Sequence, residues 1–266
     1  MKDKIFFAHG NGFPSACYRQ LFQALETRYD CDYISKVGHD PRFPVSENWA
    51  TLVEEIIATI QRDVSQPVIG VGHSLGGVLI FLAAIKEPSL FKSVVMIDSP
   101  LLNRFRSNMV RFAKSLGLID KLTPAKRTRR RRHRWETYEE LVAYVKSRPL
   151  FKDFTPAALQ DYIDYGIEKV DDGYQLVFDR DIEYRIFKTI PHHLPSLENK
   201  LRVPTALIYG DMSSVVDQRT VRYMEDKYQV HCFRMSGGHM LPMQHPVALA
   251  EKIFQALDEL SPGTLA

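Results

Sequence analysis

Val68-Ile69-Gly70-Val71-Gly72-His73-Ser74-Leu75-Gly76-Gly77 is the stretch around which the other segments fall into place. Pro67 bounds a short β-branched run that reads as a buried strand, and the run stops at the pentapeptide Gly72-His73-Ser74-Leu75-Gly76. The apolar residues 78–85 after it are long enough for a buried helix. Strand, tight turn and helix in that order are the context in which G-x-S-x-G forms a nucleophile elbow. Such a turn strains the serine backbone and presses its flanking residues together, so positions 72 and 76 need glycine. Ser74 Oγ then stands clear of the sheet edge, and the Leu75 amide, opening the helix, faces any negative charge that forms beside it.

The remaining composition sets bounds. With 266 residues, 45% apolar and 25% charged, the chain can bury a large core without staples. Cys17, Cys31 and Cys232 are too few and too scattered for a disulfide framework or a metal site. No apolar run reaches membrane-spanning length and no secretory leader is apparent, so a cytoplasmic location is expected. The net charge of +3 hides a block at 126–134 with seven cations and no anion; the rest of the chain is net negative. A block of this kind either contacts an anionic surface or is a solvated connector kept extended by repulsion. The connector is the expectation, because nothing else suggests a nucleic-acid module.

Strands are expected at 4–8, near 31–34, at 68–71, at 93–97, at 203–210 and at 230–235. Between them lie helices with buried stripes: Tyr18, Leu21, Phe22 and Leu25; then Trp49, Leu52, Val53, Ile56, Ile57 and Ile60, with Ser46 as cap. A closing helix should bury Val247, Ala250, Ile253, Phe254 and Leu257. Alternation of this kind implies a parallel sheet covered on both faces, with functional loops at the carboxyl ends of its strands. Residues 101–196 differ. Thr137-Tyr138-Glu139-Glu140 reads as a capping box, Thr155-Pro156 opens a helix that Gly166 stops, and Asp171-Asp172-Gly173 joins a small hairpin.

The elbow and the order of strands resemble the α/β-hydrolase family, in particular serine esterase- and lipase-like members. The resemblance implies a core at 1–100 and 197–266 and a mainly helical cap at 101–196, after the sixth strand of the family scheme. The family's first two strands are lacking, so six parallel strands are expected. It further implies a base at His239, in the turn Ser236-Gly237-Gly238-His239 after the last strand. The acid is open. Most relatives place it in a Gly-x-x-Asp pattern, but here Gly210-Asp211-Met212-Ser213 puts a serine in that slot. Asp98 is the preferred candidate, since some dehalogenases and esterases carry their acid after strand six; Asp211 and Asp217 are the alternatives. His9-Gly10-Asn11-Gly12 would supply a second oxyanion donor, the Asn11 amide, beside that of Leu75. Phe13, Met240, Phe105 and Tyr184 could line an acyl pocket or belong to the core.

The expected activity is hydrolysis of small or medium apolar carboxylic esters through an acyl-enzyme on Ser74, with no cofactor or metal. Thioesterase, lactonase or carbon–carbon hydrolase chemistry could use the same triad, and a non-catalytic ligand-binding or scaffold homologue is the rival of another class. The partner expected is a small-molecule ester. Neither nucleic acid nor a membrane span is expected, and homo-oligomerisation is left open.

Overall fold

The computed structural model describes residues 2–64 and 66–261. Along the chain, β1 (Lys4–Ala8), α1 (Arg19–Leu25), β2 (Asp30–Tyr33), α2 (Ala50–Asp63), β3 (Val68–His73), α3 (Leu75–Lys86) and β4 (Phe91–Ile97) alternate. A long excursion follows: α4 (Arg104–Ser115), α5 (Ile119–Leu122), α6 (Ala125–Arg129), β5 (Arg134–Trp135), α7 (Tyr138–Lys146), α8 (Pro156–Gly166), β6 (Ile167–Val170), β7 (Gly173–Leu176) and α9 (Arg180–Lys188). The chain then returns through β8 (Thr205–Gly210), α10 (Gln218–Tyr228), β9 (His231–Met235), α11 (Leu241–Gln244) and α12 (Pro246–Leu260).

Six strands pair in the order β2-β1-β3-β4-β8-β9, every pair parallel. This is the α/β-hydrolase fold, with the six-stranded parallel sheet expected from the sequence. Alternate residues of each strand face opposite layers. Phe6, Val94, Met96 and Leu207 meet α2 and α3 through Leu52, Ile56, Leu79 and Phe81. Ile5, Phe7, Val71, Val95 and Ile208 meet α1 and α12 through Leu21, Leu25, Ile253 and Phe254. All six residues of β3 are buried, as a central strand covered on both sides requires.

Register places the site. Ala8 pairs with Gly72, and His73 with Ile97, so β1, β3 and β4 end side by side. The residues just beyond them, His9, Ser74 and Asp98, therefore leave the sheet at one edge. Gly210 pairs with Met235, bringing the loops after β8 and β9 to the same edge.

The excursion is helical apart from an antiparallel sheet ordered β5-β7-β6. Thr137 Oγ1 accepts the Glu140 amide at 3.2 Å, while Glu140 takes the amide of Glu136 instead of completing the box. Thr155 caps α8, which ends at Gly166. Three expectations need correction. The block at 126–134 is not an extended connector: it enters α6 and β5, and Arg131, Arg132 and Arg134 pair with Glu183, Glu140 and Asp172. Carboxylates neutralise these three cations and so reduce the repulsion within the block. Val247 lies on the outer side of α12 and is exposed. Ser46 opens a short 3₁₀ turn before α2 and accepts the Thr51 amide within its first turn.

Candidate active site

The turn after β3 is as tight as its glycines suggest. Ser74 has φ 53° and ψ −114°, a left-handed conformation that costs a side-chain-bearing residue about 1–3 kcal/mol. Its amide donates to the Ile97 carbonyl at 2.9 Å, which ties the turn to β4. A Cβ at position 72 would lie 2.4 Å from the Gly76 carbonyl carbon, and one at 76 would lie 2.0 Å from the Ala8 carbonyl oxygen. Both partners are backbone, so neither contact could relax cheaply. Leu75 begins α3, and its amide has no acceptor among the described residues. The same is true of the Ser74 hydroxyl, which is partly exposed.

Asp98 follows β4 with φ 45° and is completely buried. Its Oδ2 lies 2.6 Å from Nδ1 of His239. The Gly210 amide donates to Oδ1 at 3.1 Å, and the Ser213 hydroxyl donates to Oδ2 at 2.6 Å. Ser213, in the slot where the resemblance led one to look for an acid, thus holds the carboxylate of another strand. The other two aspartates are engaged elsewhere. Asp211 accepts the Gly237 amide and faces Arg234, and Asp217 caps α10 and pairs with Arg106.

His73, inside the elbow, is buried, and burial pushes its imidazole down to about 3, so it is neutral. Nε2 lies 2.9 Å from the His239 carbonyl. A carbonyl can only accept, so Nε2 carries the proton and Nδ1 accepts. The Tyr18 hydroxyl, 2.8 Å away, donates to Nδ1 and itself accepts the Gly10 amide at 2.9 Å. One chain of hydrogen bonds therefore joins the loop after β1, the elbow and the loop after β9. It sets the His239 ring 5.0 Å from that of His73, the residue before Ser74.

The loop after β1 is held from both sides. His9 is buried, with burial lowering its pKa to about 4; Nδ1 donates to the Gly10 carbonyl and Nε2 accepts the Val37 amide. The Asn11 amide has no acceptor among the described residues, and its side-chain Nδ2 donates to the Glu183 carbonyl of α9 at 3.1 Å. Gly12 has φ +82° and lies so close to the Glu183 carboxylate that a Cβ there would approach it to 3.0 Å. That carboxylate is nearly buried, and burial raises its pKa against the pull of Arg131, its ion-pair partner. Phe13 packs on Phe151, Phe154 and Tyr162 of the excursion, whereas Phe105 projects into solvent and belongs to neither pocket nor core.

Sequence reasoning placed Tyr18 only on a buried stripe and did not see Glu183 at all. A tyrosine on an apolar face usually seeks a partner for its hydroxyl, which was the available signal. Glu183 gave none. Among the described residues no group of three or more His, Cys, Asp or Glu side chains is placed to hold a metal ion.

Residues 5–252 match the model of the alpha/beta hydrolase family, and the chain belongs to that family. A monoglyceride lipase of Rattus norvegicus is 31% identical over 110 residues, covering 38% of this chain and 36% of the lipase. A type I acyl-CoA thioesterase of Penicillium roqueforti is 27% identical over 114 residues, covering 36% of this chain and 26% of the thioesterase. The matched part is thus about a third or less of either relative. Among solved structures, that of E-2-(acetamidomethylene)succinate hydrolase superposes with a TM-score of 0.75 at 19% identity, covering 97% of this chain and 91% of the other. No helix among the described residues is long and apolar enough to cross a membrane.

Proposed function

We propose that the chain is a serine hydrolase that cleaves carboxylic esters of small or medium apolar acyl groups. The observation that carries this reading is the 2.6 Å contact between Asp98 and His239, with Asp98 leaving the sheet at the edge where Ser74 is held at positive φ. In the proposed reaction Ser74 Oγ attacks the ester carbonyl and gives its proton to Nε2 of His239. Asp98 keeps the other ring proton on Nδ1 and stabilises the imidazolium. The amides of Leu75 and Asn11, both without an acceptor among the described residues, take up the negative charge on the carbonyl oxygen. His239 then protonates the departing alcohol, and water admitted by the same base releases the acid from Ser74. Residues 101–196 act as the cap that limits substrate size. Hydrolase function also fits the family and the lipase and thioesterase relatives.

The test is turnover of p-nitrophenyl esters of increasing acyl length. Activity should peak at short to medium chains and vanish in Ser74→Ala; a fully active Ser74→Ala protein would refute the reading. Thioester cleavage is the second reading, favoured by the name of the Penicillium roqueforti relative. A matched ester and thioester of one acid would separate the two by their kcat/KM values.

A further inference from the structure

The outer face of α4 is apolar and uncovered. Phe105, Met109, Phe112 and Leu116 recur at helical spacing along one side, and all four are exposed, Phe105 by 73% and Phe112 by 65%. Ser107 and Val110 on the opposite side are buried, so α4 already has its inner contacts. Leu118 and Leu122 continue the exposed strip onto α5. Soluble monomers seldom leave a contiguous apolar strip of this length in water without a use for it.

The charge around the strip says what could cover it. Residues 101–134 contain twelve Lys and Arg and a single acid, Asp120, which accepts the Tyr184 hydroxyl. Six of the cations, Arg111, Lys121, Lys126, Arg127, Arg129 and Arg130, are exposed and have no ion-pair partner among the described residues. They lie on α4, α5 and α6 or, for Arg130, just after α6, and these helices follow one another in sequence, α5 packing on both α4 and α6. An exposed apolar helix face with unpaired cations beside it matches an interface with negative charge at its surface and hydrocarbon beneath. A second copy of the chain fits poorly, because two-fold pairing of the strip would bring its flanking cations together. Nucleic acid would satisfy the cations and leave Phe105 and Phe112 without a role.

We infer that the face formed by α4, α5 and α6 docks on the surface of an anionic lipid bilayer, with the side chains of Phe105, Met109, Phe112 and Leu116 entering the acyl boundary and the six unpaired cations meeting the headgroups. The inference is independent of the hydrolase reading, since it concerns binding and uses no residue of the site around Ser74.

Flotation of the full chain with vesicles tests it, comparing phosphatidylcholine alone with phosphatidylcholine containing phosphatidylserine. The bound fraction should favour the anionic vesicles by about tenfold or more and fall as salt rises. Met109→Gln with Phe112→Gln should weaken binding about tenfold, with the thermal midpoint and turnover of a water-soluble ester unchanged. Lys126→Gln, Arg129→Gln and Arg130→Gln together should abolish the preference for phosphatidylserine. Absence of flotation at low salt would overturn the inference. So would a dimer in sedimentation that Phe112→Gln dissolves and that does not float. Binding to duplex DNA in preference to vesicles, unaffected by the Met109 and Phe112 changes, would also overturn it.

Discussion

Nε2 of His73 donates to the carbonyl of His239 at 2.9 Å, so the residue before the proposed nucleophile holds the backbone of the proposed base. Two loops far apart in sequence are thereby fixed through a neutral imidazole, and Tyr18 extends the link to Gly10. The arrangement confines three loop backbones before any substrate arrives, as preorganised catalysis requires.

Asp98→Asn should lower kcat by about 10⁴-fold while the far-ultraviolet circular dichroism stays native, because an amide in that place favours the wrong tautomer of His239. Asp211→Asn, which alters a carboxylate that accepts the Gly237 amide and faces Arg234, should cost less than about tenfold in the same assay. The reverse ranking would assign the acid to Asp211.

Tyr18→Phe removes the hydroxyl that accepts the Gly10 amide and donates to His73. All three groups are buried, so urea unfolding should show a loss of about 1–3 kcal/mol. Turnover should fall with it, because the loop carrying Asn11 loses an anchor. Unchanged stability would mean that water replaces the hydroxyl without cost.

Arg131→Met leaves the carboxylate of Glu183 buried, with Thr128 its remaining hydrogen-bond partner among the described residues. A loss of about 3–5 kcal/mol is expected for a fully buried pair, somewhat less here because Arg131 is 22% exposed. The double change with Glu183→Gln should recover most of it in denaturant unfolding. A double variant no more stable than Arg131→Met would show that the pair's charge is not what matters.

Acid should destabilise the fold through its buried histidines. His9 and His73 have folded pKa values of about 4 and about 3, below the 6.5 of the unfolded chain. Below pH 6.5 the unfolded state therefore takes up protons that the folded state refuses, and each histidine lowers stability by up to ~1.4 kcal/mol per pH unit. Glu55 acts in the opposite sense: burial raises it to about 7 from 4.5, so it favours the fold as pH falls through that window. Glu183, also raised by burial, adds to this offset, while His39, His192 and His193, lowered by burial, act in the same sense as His9 and His73. Urea midpoints should thus decline from pH 6.5 to pH 4.5, and a flat or rising profile would contradict the buried, neutral state of His9 and His73.

The fold was legible because its signals are local. Gly72 and Gly76 frame a turn that tolerates no side chain, and the short apolar runs at 5–8 and 94–97 mark buried strands. Asp98 was reachable because it ends a strand whose neighbour carries Ser74, and the structure sets its carboxylate against His239. What stayed hidden depends on contacts between distant segments. The hydroxyl of Tyr18 meets His73, Asn11 meets Glu183, and Ser213 meets Asp98; no periodicity encodes such pairs. The block at 126–134 was misread for the same reason, since the carboxylates that neutralise Arg131, Arg132 and Arg134 come from residues 183, 140 and 172.

Everything proposed for catalysis depends on an activated oxygen at Ser74, and mass spectrometry after exposure to a fluorophosphonate measures that directly. The account predicts one phosphonyl adduct per chain, located on the peptide containing Ser74, formed rapidly in the unaltered protein and at least about 10³-fold more slowly in His239→Ala. A folded protein that takes up no adduct, or takes it up equally fast without His239, would contradict it.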